Sequence, residues 1–126
     1  MTTTLEHANI TVTDPATTAA WMCDIFGWDI RWQGPAIDAG MTIHVGGPAS
    51  YLALYSPQKP LAKAPHSYTT NGGLNHLAVV TDDIHAMRRK VEIAGFTPGE
   101  HFDYEPGQRF YFFDHDGIEY EVVQYD

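Results

Sequence analysis

Hydrophobic and polar residues alternate along residues 5–13, which predicts a β-strand near the start of the chain. Ala8, Ile10 and Val12 fall on one face of this strand, and His7 opens the polar series on the other. We therefore expect the apolar face to pack on a helix and the polar face to line a solvated surface.

Two helices are predicted from residues that begin and end them. Asp14 is an N-cap followed by Pro15 at the first helical position, and Gly27 ends this helix. Asp83 caps a second helix that Gly95 ends. The apolar stripe of the second helix consists of Ile84, Met87, Val91 and Ala94.

Further strands are predicted between and after these helices. Asp114-His-Asp-Gly117 has the composition of a turn that joins the last two strands. The remaining strands are predicted at 29–33, 40–46, 50–55, 109–113 and 118–125.

The chain contains an internal repeat. The segment Leu5–Ile10 aligns with Leu74–Val79, which places His7 and His76 at equivalent positions, 69 residues apart. The pair Asp14 and Asp83 and the pair Gly27 and Gly95 follow in the same order. Each half is therefore predicted to be a strand, a helix and three strands.

The ends of the two halves can also be superposed. Tyr51–Tyr55 can be laid on Glu119–Val123, which sets Ala53 opposite Glu121. We predict one α+β domain over the whole chain. It divides into a first module at about 1–56, a connection at about 57–73 and a second module at about 74–126.

Composition and charge exclude several classes of partner. The 126 residues include 7 basic and 16 acidic ones, so the formal net charge is −9. Such a surface repels nucleic acid and anionic membranes, and no apolar run approaches the roughly 18 residues of a membrane span. Cys23 is the only cysteine, so no internal disulfide forms, and no secretory signal is visible. We expect a cytoplasmic protein without nucleic-acid or membrane partners.

Three motifs resemble the vicinal oxygen chelate superfamily, also called the glyoxalase/bleomycin-resistance/dioxygenase group. They are Leu5-x-His7 followed by Asp14, Leu74-Asn75-His76 followed by Asp82-Asp83, and Asp114-x-Asp116-Gly117-x-x-x-Glu121. The resemblance covers essentially the whole chain. It implies two tandem βαβββ modules that form a half-open barrel around a metal-containing cleft.

The resemblance also implies a set of metal ligands. Carried over residue by residue, they are His7, His76 and Glu121, with Ala53 at the position of a fourth ligand. Two imidazoles and one carboxylate suit Fe(II), our first expectation, or Mn(II), Ni(II) or Zn(II), and they leave positions open for substrate or water. Ala53 has no donor atom and cannot serve as a ligand.

This ligand set favours a metal-dependent enzyme acting on a small oxygenated molecule, with a dioxygenase-like reaction ahead of the alternatives. The first alternative is a glyoxalase-type lyase or isomerase, which the absence of a ligand at Ala53 makes less favoured. The second is a metal-free protein that binds a small molecule such as an antibiotic.

Other residues are candidates for the chemistry or for the wall of the cleft. Glu119 and Tyr55 are the titratable neighbours that we consider for acid–base catalysis. The candidate substrate-binding residues are Tyr51, Trp32, Arg109 and Phe112. The remaining histidines lack partners across the repeat and are predicted to be surface or turn residues: His44, His66, His85, His101 and His115.

Small members of this superfamily are usually homodimers, so the resemblance implies a homodimer here. In some of them the metal site is shared between protomers. In that arrangement His7 of one chain would meet His76 and Glu121 of the other, and the sequence leaves this and the intrachain arrangement both open.

Overall fold

A computed structural model describes every residue from Met1 to Asp126. The chain forms two compact units, Met1–Leu61 and Ala62–Asp126, which we call unit 1 and unit 2. Their boundary lies within the segment 57–73 that the sequence predicts as a connection. No helix is long and apolar enough to cross a membrane.

Unit 1 is a strand, a helix and three strands. Its elements are β1 (His7–Thr11), α1 (Pro15–Phe26), β2 (Asp29–Ala36), β3 (Gly40–Gly46) and β4 (Tyr51–Ser56). The strands form one open sheet in the order β1-β4-β3-β2, in which β1 and β4 run parallel and the other pairs antiparallel. Helix α1 packs on β3 and β4.

The ends of α1 follow the sequence prediction. The carboxylate of Asp14 accepts hydrogen bonds from the backbone N–H groups of Ala16 and Thr17 at 3.1 and 3.4 Å. These N–H groups have no partner inside the helix, so the cap stabilises its start. At the other end Gly27 adopts φ +71°, a left-handed conformation that glycine reaches without strain.

Unit 2 repeats this arrangement. Its elements are a short 3-10 helix (Ser67–Thr69), β5 (Leu77–Val80), α2 (Ile84–Ile93), β6 (Phe102–Tyr104), β7 (Gly107–Phe113) and β8 (Glu119–Tyr125). The sheet order is β5-β8-β7-β6, with β5 parallel to β8. Both modules are therefore βαβββ and both four-stranded sheets are open, which confirms the predicted fold class.

The two sheets share the same register. In unit 1 Asn9 lies beside Ala53, and in unit 2 Ala78 lies beside Glu121. Ala53 and Glu121 thus occupy equivalent positions in the two sheets. Each pairs with the residue that lies two positions after the histidine of its module.

A pair of glycines marks the same point in both sheets. Gly40 begins β3 and Gly107 begins β7. A Cβ at Gly40 would collide with the carbonyl oxygen of Ser56, and one at Gly107 with that of Gln124. Both positions therefore exclude any larger residue for the same reason.

Some predicted details were wrong. The pattern along residues 5–13 predicted a strand whose apolar face packs on a helix. Strand β1 covers only His7–Thr11 at the edge of its sheet, and Ala8 on that face is exposed. Helix α2 ends at Ile93, so Ala94 is an exposed C-cap residue instead of a member of the buried stripe. The short strand β6 was not located, because its three residues, Phe102–Tyr104, are too few to show an alternating pattern.

Candidate functional site

Glu121, on β8 of unit 2, is held by two donors from the neighbouring strand. The residue is only 8% exposed. The hydroxyl of Tyr111 donates to its Oε2 atom at 2.9 Å, and Nη1 of Arg109 donates to the same oxygen at 3.2 Å. Both donors therefore act on one carboxylate oxygen, and the other oxygen, Oε1, is left for a different partner.

His76 approaches that other oxygen. Its Nε2 atom lies 3.5 Å from Oε1 of Glu121, and its Nδ1 atom lies 2.6 Å from Oδ1 of Asn75. The amide oxygen of Asn75 can only accept, so this contact assigns the ring proton to Nδ1. Nε2, which lies close to Glu121, then carries the lone pair, and metal-binding histidines usually have their other ring nitrogen held by a hydrogen bond in this way.

Tyr111 is suited to donating its proton. Burial, and then its hydrogen bond to Glu121, raise the pKa of Tyr111 to about 12. The phenol therefore stays protonated at neutral pH and remains a donor to Oε2. Strand alternation alone did not identify Tyr111, since both faces of β7 carry aromatic residues.

Glu119 lies two residues before Glu121, on the same face of β8. Its Oε1 atom accepts a hydrogen bond from the hydroxyl of Tyr68, in the 3-10 helix. This bond, and then burial, raise the pKa of Tyr68. No pattern in the sequence indicates Tyr68, because a residue in a connection without periodicity carries no signal of what it contacts.

Arg109 has donors that no protein group uses. Beyond its bond to Glu121, its Nε and Nη2 atoms are buried and have no hydrogen-bond partner. The guanidinium carbon lies 4.7 Å from the centre of the Tyr104 ring, which covers the charged group. Nε and Nη2 form one edge of the guanidinium, the edge that can bind a carboxylate through two hydrogen bonds.

Phe112 does not lie on the face of Glu121. It is 1% exposed, and its ring packs 5.3 Å from that of Tyr120 and 5.7 Å from that of Phe96. Tyr111 and Phe112 are adjacent in a strand, so their side chains point to opposite faces. Phe112 is therefore a core residue of unit 2, and the expectation that it lines the ligand site is corrected.

In unit 1, His7 is oriented in the same way as His76. Its Nδ1 atom lies 2.9 Å from Oε1 of Glu6, so Nε2 is the ring nitrogen that Glu6 does not contact. The imidazole stacks on the Tyr51 ring with 4.8 Å between centres, and Tyr51 also donates to Glu6 at 3.2 Å. In both units the residue before the histidine thus holds Nδ1.

His44 lies in the middle of β3, and its half-buried side chain is on the face of the sheet that is not packed into the core. Its ring stacks on Tyr51 with 4.6 Å between centres and lies 5.2 Å from the ring of Trp32. Thr42 and His44 alternate with the buried Ile43 and Val45, which indicates that the two polar side chains lie on the opposite face of β3. Tyr51 and Trp32, both predicted to bind substrate, therefore meet at His44.

A cleft of about 380 Å³ opens on this surface of unit 1. It is lined by Asn9, Ala36, Ile37, Thr42, His44 and Tyr55. The hydroxyl of Tyr55 donates to the carbonyl oxygen of Ile37 at 3.1 Å, and burial raises the pKa of Tyr55. The Oγ1 atom of Thr42 is buried without a hydrogen-bond partner.

The residues predicted as metal ligands belong to different units. In neither unit do three or more His, Cys, Asp or Glu side chains gather into a group that could hold a metal ion. His76 and Glu121 lie close together in unit 2, and His7 is in unit 1. Ala53, opposite His44 and Asn9 in its sheet, has no donor atom.

Solved structures of known proteins share this fold. A glyoxylase/bleomycin resistance protein/dioxygenase domain from Frankia sp. EAN1pec matches with TM-score 0.84 and 18% identity over 100% of both chains. The fosfomycin resistance protein FosX from Listeria monocytogenes, complexed with Mn(II) and sulfate, has TM-score 0.75 and 15% identity, covering 100% of this chain and 95% of FosX. TnmS3, an antibiotic-binding protein from Streptomyces sp. CB03234, has TM-score 0.73 and 17% identity, covering 99% and 98%.

The family is shown by sequence. No curated protein is significantly similar to this chain. The family model of the Glyoxalase/Bleomycin resistance protein/Dioxygenase superfamily, however, matches residues 4–122. The fold, the internal repeat and this match agree, and the chain belongs to that superfamily.

Proposed function

We propose that the protein is a divalent-metal-dependent enzyme that acts on a small oxygenated molecule. The proposed metal ligands are His7, His76 and Glu121. The observation that carries the proposal is the pairing of His76 Nε2 with Glu121 Oε1 at 3.5 Å, with the remaining polar atom of each side chain held by another residue.

This pairing fits one cation. Divalent metals hold nitrogen and oxygen ligands at about 2.0–2.2 Å, so two ligand atoms roughly 3–3.5 Å apart can share the same ion. Tyr111 and Arg109 act on Oε2 of Glu121 and so present Oε1 to the ion. His7 supplies the third ligand, since Glu6 occupies its Nδ1 atom and leaves Nε2 free for coordination.

His7 reaches the other two ligands within one chain or across a homodimer. Mixing His7→Ala chains with Glu121→Ala chains distinguishes the two arrangements. If the site is shared between protomers, about a quarter of the sites regain all three ligands after random reassociation of a two-fold dimer. If the site is formed within one chain, none do.

The three ligands favour Fe(II) as the first metal to test. Two imidazoles and one carboxylate with open positions are the donor set of non-haem iron oxygenases, and Ala53 adds no fourth ligand. Mn(II), Ni(II) or Zn(II) would favour the lyase or isomerase alternative. When bound, the cation supplies stabilisation of negative charge on a substrate oxygen.

The proposed roles of the other residues follow from their contacts. Glu119 is the candidate proton acceptor, since its carboxylate lies on the face of Glu121 and already accepts a hydrogen bond from Tyr68. Burial raises the pKa of Tyr55, so its phenol is a hydrogen-bond donor at neutral pH. Tyr51 and Trp32 are proposed to contact the substrate through their rings, and Arg109 through Nε and Nη2. The last contact requires the buried Nε and Nη2 edge of the guanidinium to become accessible.

A metal titration tests the proposal. Metal-free protein is titrated anaerobically with Fe(II) and, separately, with Mn(II). We expect uptake of one ion per site by the wild type and by His115→Ala, whose histidine lies in an exposed turn. We expect uptake to be lost in Glu121→Gln, which keeps the size of the side chain. Unchanged binding by Glu121→Gln would refute the ligand assignment.

A second candidate function is metal-free binding of a small molecule. The observation in its favour is the unit 1 cleft, whose lining contains no metal-binding carboxylate and whose volume of about 380 Å³ suits a small ligand. Failure of the wild type to bind any divalent metal would make this the leading function.

A further inference from the structure

The two modules differ at the position in the sheet where unit 2 has the carboxylate of Glu121. In unit 2 the residue beside Glu121 on the antiparallel neighbour is Tyr111. In unit 1 the residue beside Ala53 on the antiparallel neighbour is His44. Unit 1 therefore has Ala53 in place of Glu121, and His44 in place of Tyr111, the donor to the carboxylate.

The next position on the same face differs as well. Arg109 lies beside Val123 in unit 2, and Thr42 lies beside Tyr55 at the equivalent place in unit 1. Arg109 has Glu121 as its acceptor, but the Oγ1 atom of Thr42 is buried and has none. A buried hydroxyl without a partner destabilises the folded state, so it needs an explanation.

The cleft of unit 1 lies next to this unpartnered hydroxyl. Thr42, His44 and Asn9 line the cleft, and the last two flank Ala53 in the sheet. Unit 1 thus has an opening bordered by a buried hydroxyl without a partner, in the neighbourhood where unit 2 has a carboxylate and its donors.

The lining restricts the chemistry of the occupant. It contains no Lys, Arg, Asp or Glu, so it has no permanent charge to pair with an anion or a cation. Its volume of about 380 Å³ lies near the lower end of the range for small-molecule sites, roughly 300–1,000 Å³. The lining also contains the flat rings of His44 and Tyr55, which favour a flat occupant.

We infer that the unit 1 cleft is a recognition subsite for an uncharged carbonyl or hydroxyl oxygen on a small flat molecule, with Thr42 Oγ1 as the hydrogen-bond donor. The inference rests on the proposed function only in taking this molecule to be the substrate. Binding in the cleft itself requires no metal.

Three probes with the same ring test the inference on metal-free protein. Acetophenone carries an uncharged acceptor oxygen, ethylbenzene carries none, and benzoate carries an anion. Binding is followed through the backbone amide NMR signals of Asn9, Thr42 and His44. We expect acetophenone to produce saturable shifts and the other two probes to bind at least fivefold more weakly. No shifts with acetophenone, or equal binding of ethylbenzene or benzoate, would overturn the inference.

Variants of Thr42 supply a second test. Thr42→Val keeps the shape and removes the hydroxyl, so we expect about tenfold weaker binding of acetophenone. The melting temperature of the ligand-free variant should be unchanged or higher, because an unpartnered buried hydroxyl has been removed. Thr42→Ser keeps the hydroxyl and should keep the affinity, as should the exposed-site control Thr97→Val.

Unchanged affinity in Thr42→Val would overturn the role of Thr42. Because these measurements use metal-free protein, they are independent of the metal titration. Failure of the metal titration alone refutes the proposed enzyme and leaves the subsite standing, and failure of the probes alone refutes the subsite.

Discussion

Nε2 of His76 lies 3.5 Å from Oε1 of Glu121. His76 immediately precedes β5, and Glu121 lies on β8 of the same unit. The opposite oxygen, Oε2, accepts hydrogen bonds from Tyr111 and Arg109. The carboxylate is thus oriented by two donors on one side and faces an imidazole on the other.

Removal of the Tyr111 hydroxyl should weaken metal binding without unfolding the protein. Tyr111→Phe leaves Arg109 as the only donor to Oε2, so Glu121 is less well oriented. Loss of a hydrogen bond that orients a metal ligand typically reduces metal affinity about 10–100-fold. Calorimetric titration with Mn(II) measures the change. Tyr125→Phe, at an exposed position, is the matched control and should bind as the wild type does.

Loss of a proposed ligand should weaken metal binding more than loss of a group that only holds a ligand in place. His7→Ala removes a proposed ligand, whereas Glu6→Ala removes only the group that holds Nδ1 of His7. We expect the affinity for Mn(II) to fall further in His7→Ala than in Glu6→Ala. The same titration ranks the two variants, and the reverse order would contradict the assignment of His7.

Tyr111 should also make stability depend on alkaline pH. Its pKa is raised from 10.0 to about 12 in the folded protein, mainly by burial and then by Glu121. A raised pKa means that the folded state holds this proton more tightly than the unfolded state does. The contribution to stability is therefore complete below about pH 10 and is lost as the pH rises to about 12.

Denaturant unfolding at a series of pH values measures this contribution. The wild type should lose stability between pH 10 and 12, and Tyr111→Phe should lose less over the same interval. Parallel curves for the two proteins would show that Tyr111 is not the group responsible.

Phe112 and Phe113 should differ sharply in their effect on stability. Phe112 is 1% exposed in the core of unit 2, whereas Phe113, its neighbour on the other face, is 58% exposed. Phe112→Ala should lower the free energy of unfolding by about 3–5 kcal/mol, the usual cost of emptying a buried phenylalanine site. Phe113→Ala should cost less than about 1 kcal/mol. Urea denaturation checks both, and similar losses would contradict the assigned faces.

Much of the fold could be predicted because its signals are local and occur twice. Asp14 and Asp83 cap helices, and Gly27 ends the first of them in the left-handed conformation that the prediction required. The two halves align at His7 and His76, so either half supports the interpretation of the other.

The partners of the site residues could not be predicted in the same way. Strand β7 carries aromatic residues on both faces, so polarity does not distinguish Tyr111, beside Glu121, from Phe112 in the core. His44 has no histidine at the equivalent position of unit 2, where Tyr111 lies, so the internal repeat does not indicate it. Tyr68 reaches Glu119 from a connection that has no periodic pattern.

Metal content is the most direct test of the central claim. Untagged protein is purified anaerobically, and the metal per chain is measured beside His76→Ala and the control His115→Ala. We predict stoichiometric metal in the wild type and the control, and its loss in His76→Ala while the fold is retained. Iron would favour the dioxygenase-like reaction, and Mn, Ni or Zn the lyase or isomerase. Full metal content in His76→Ala, or a wild type that neither contains nor takes up a divalent metal, would contradict the account.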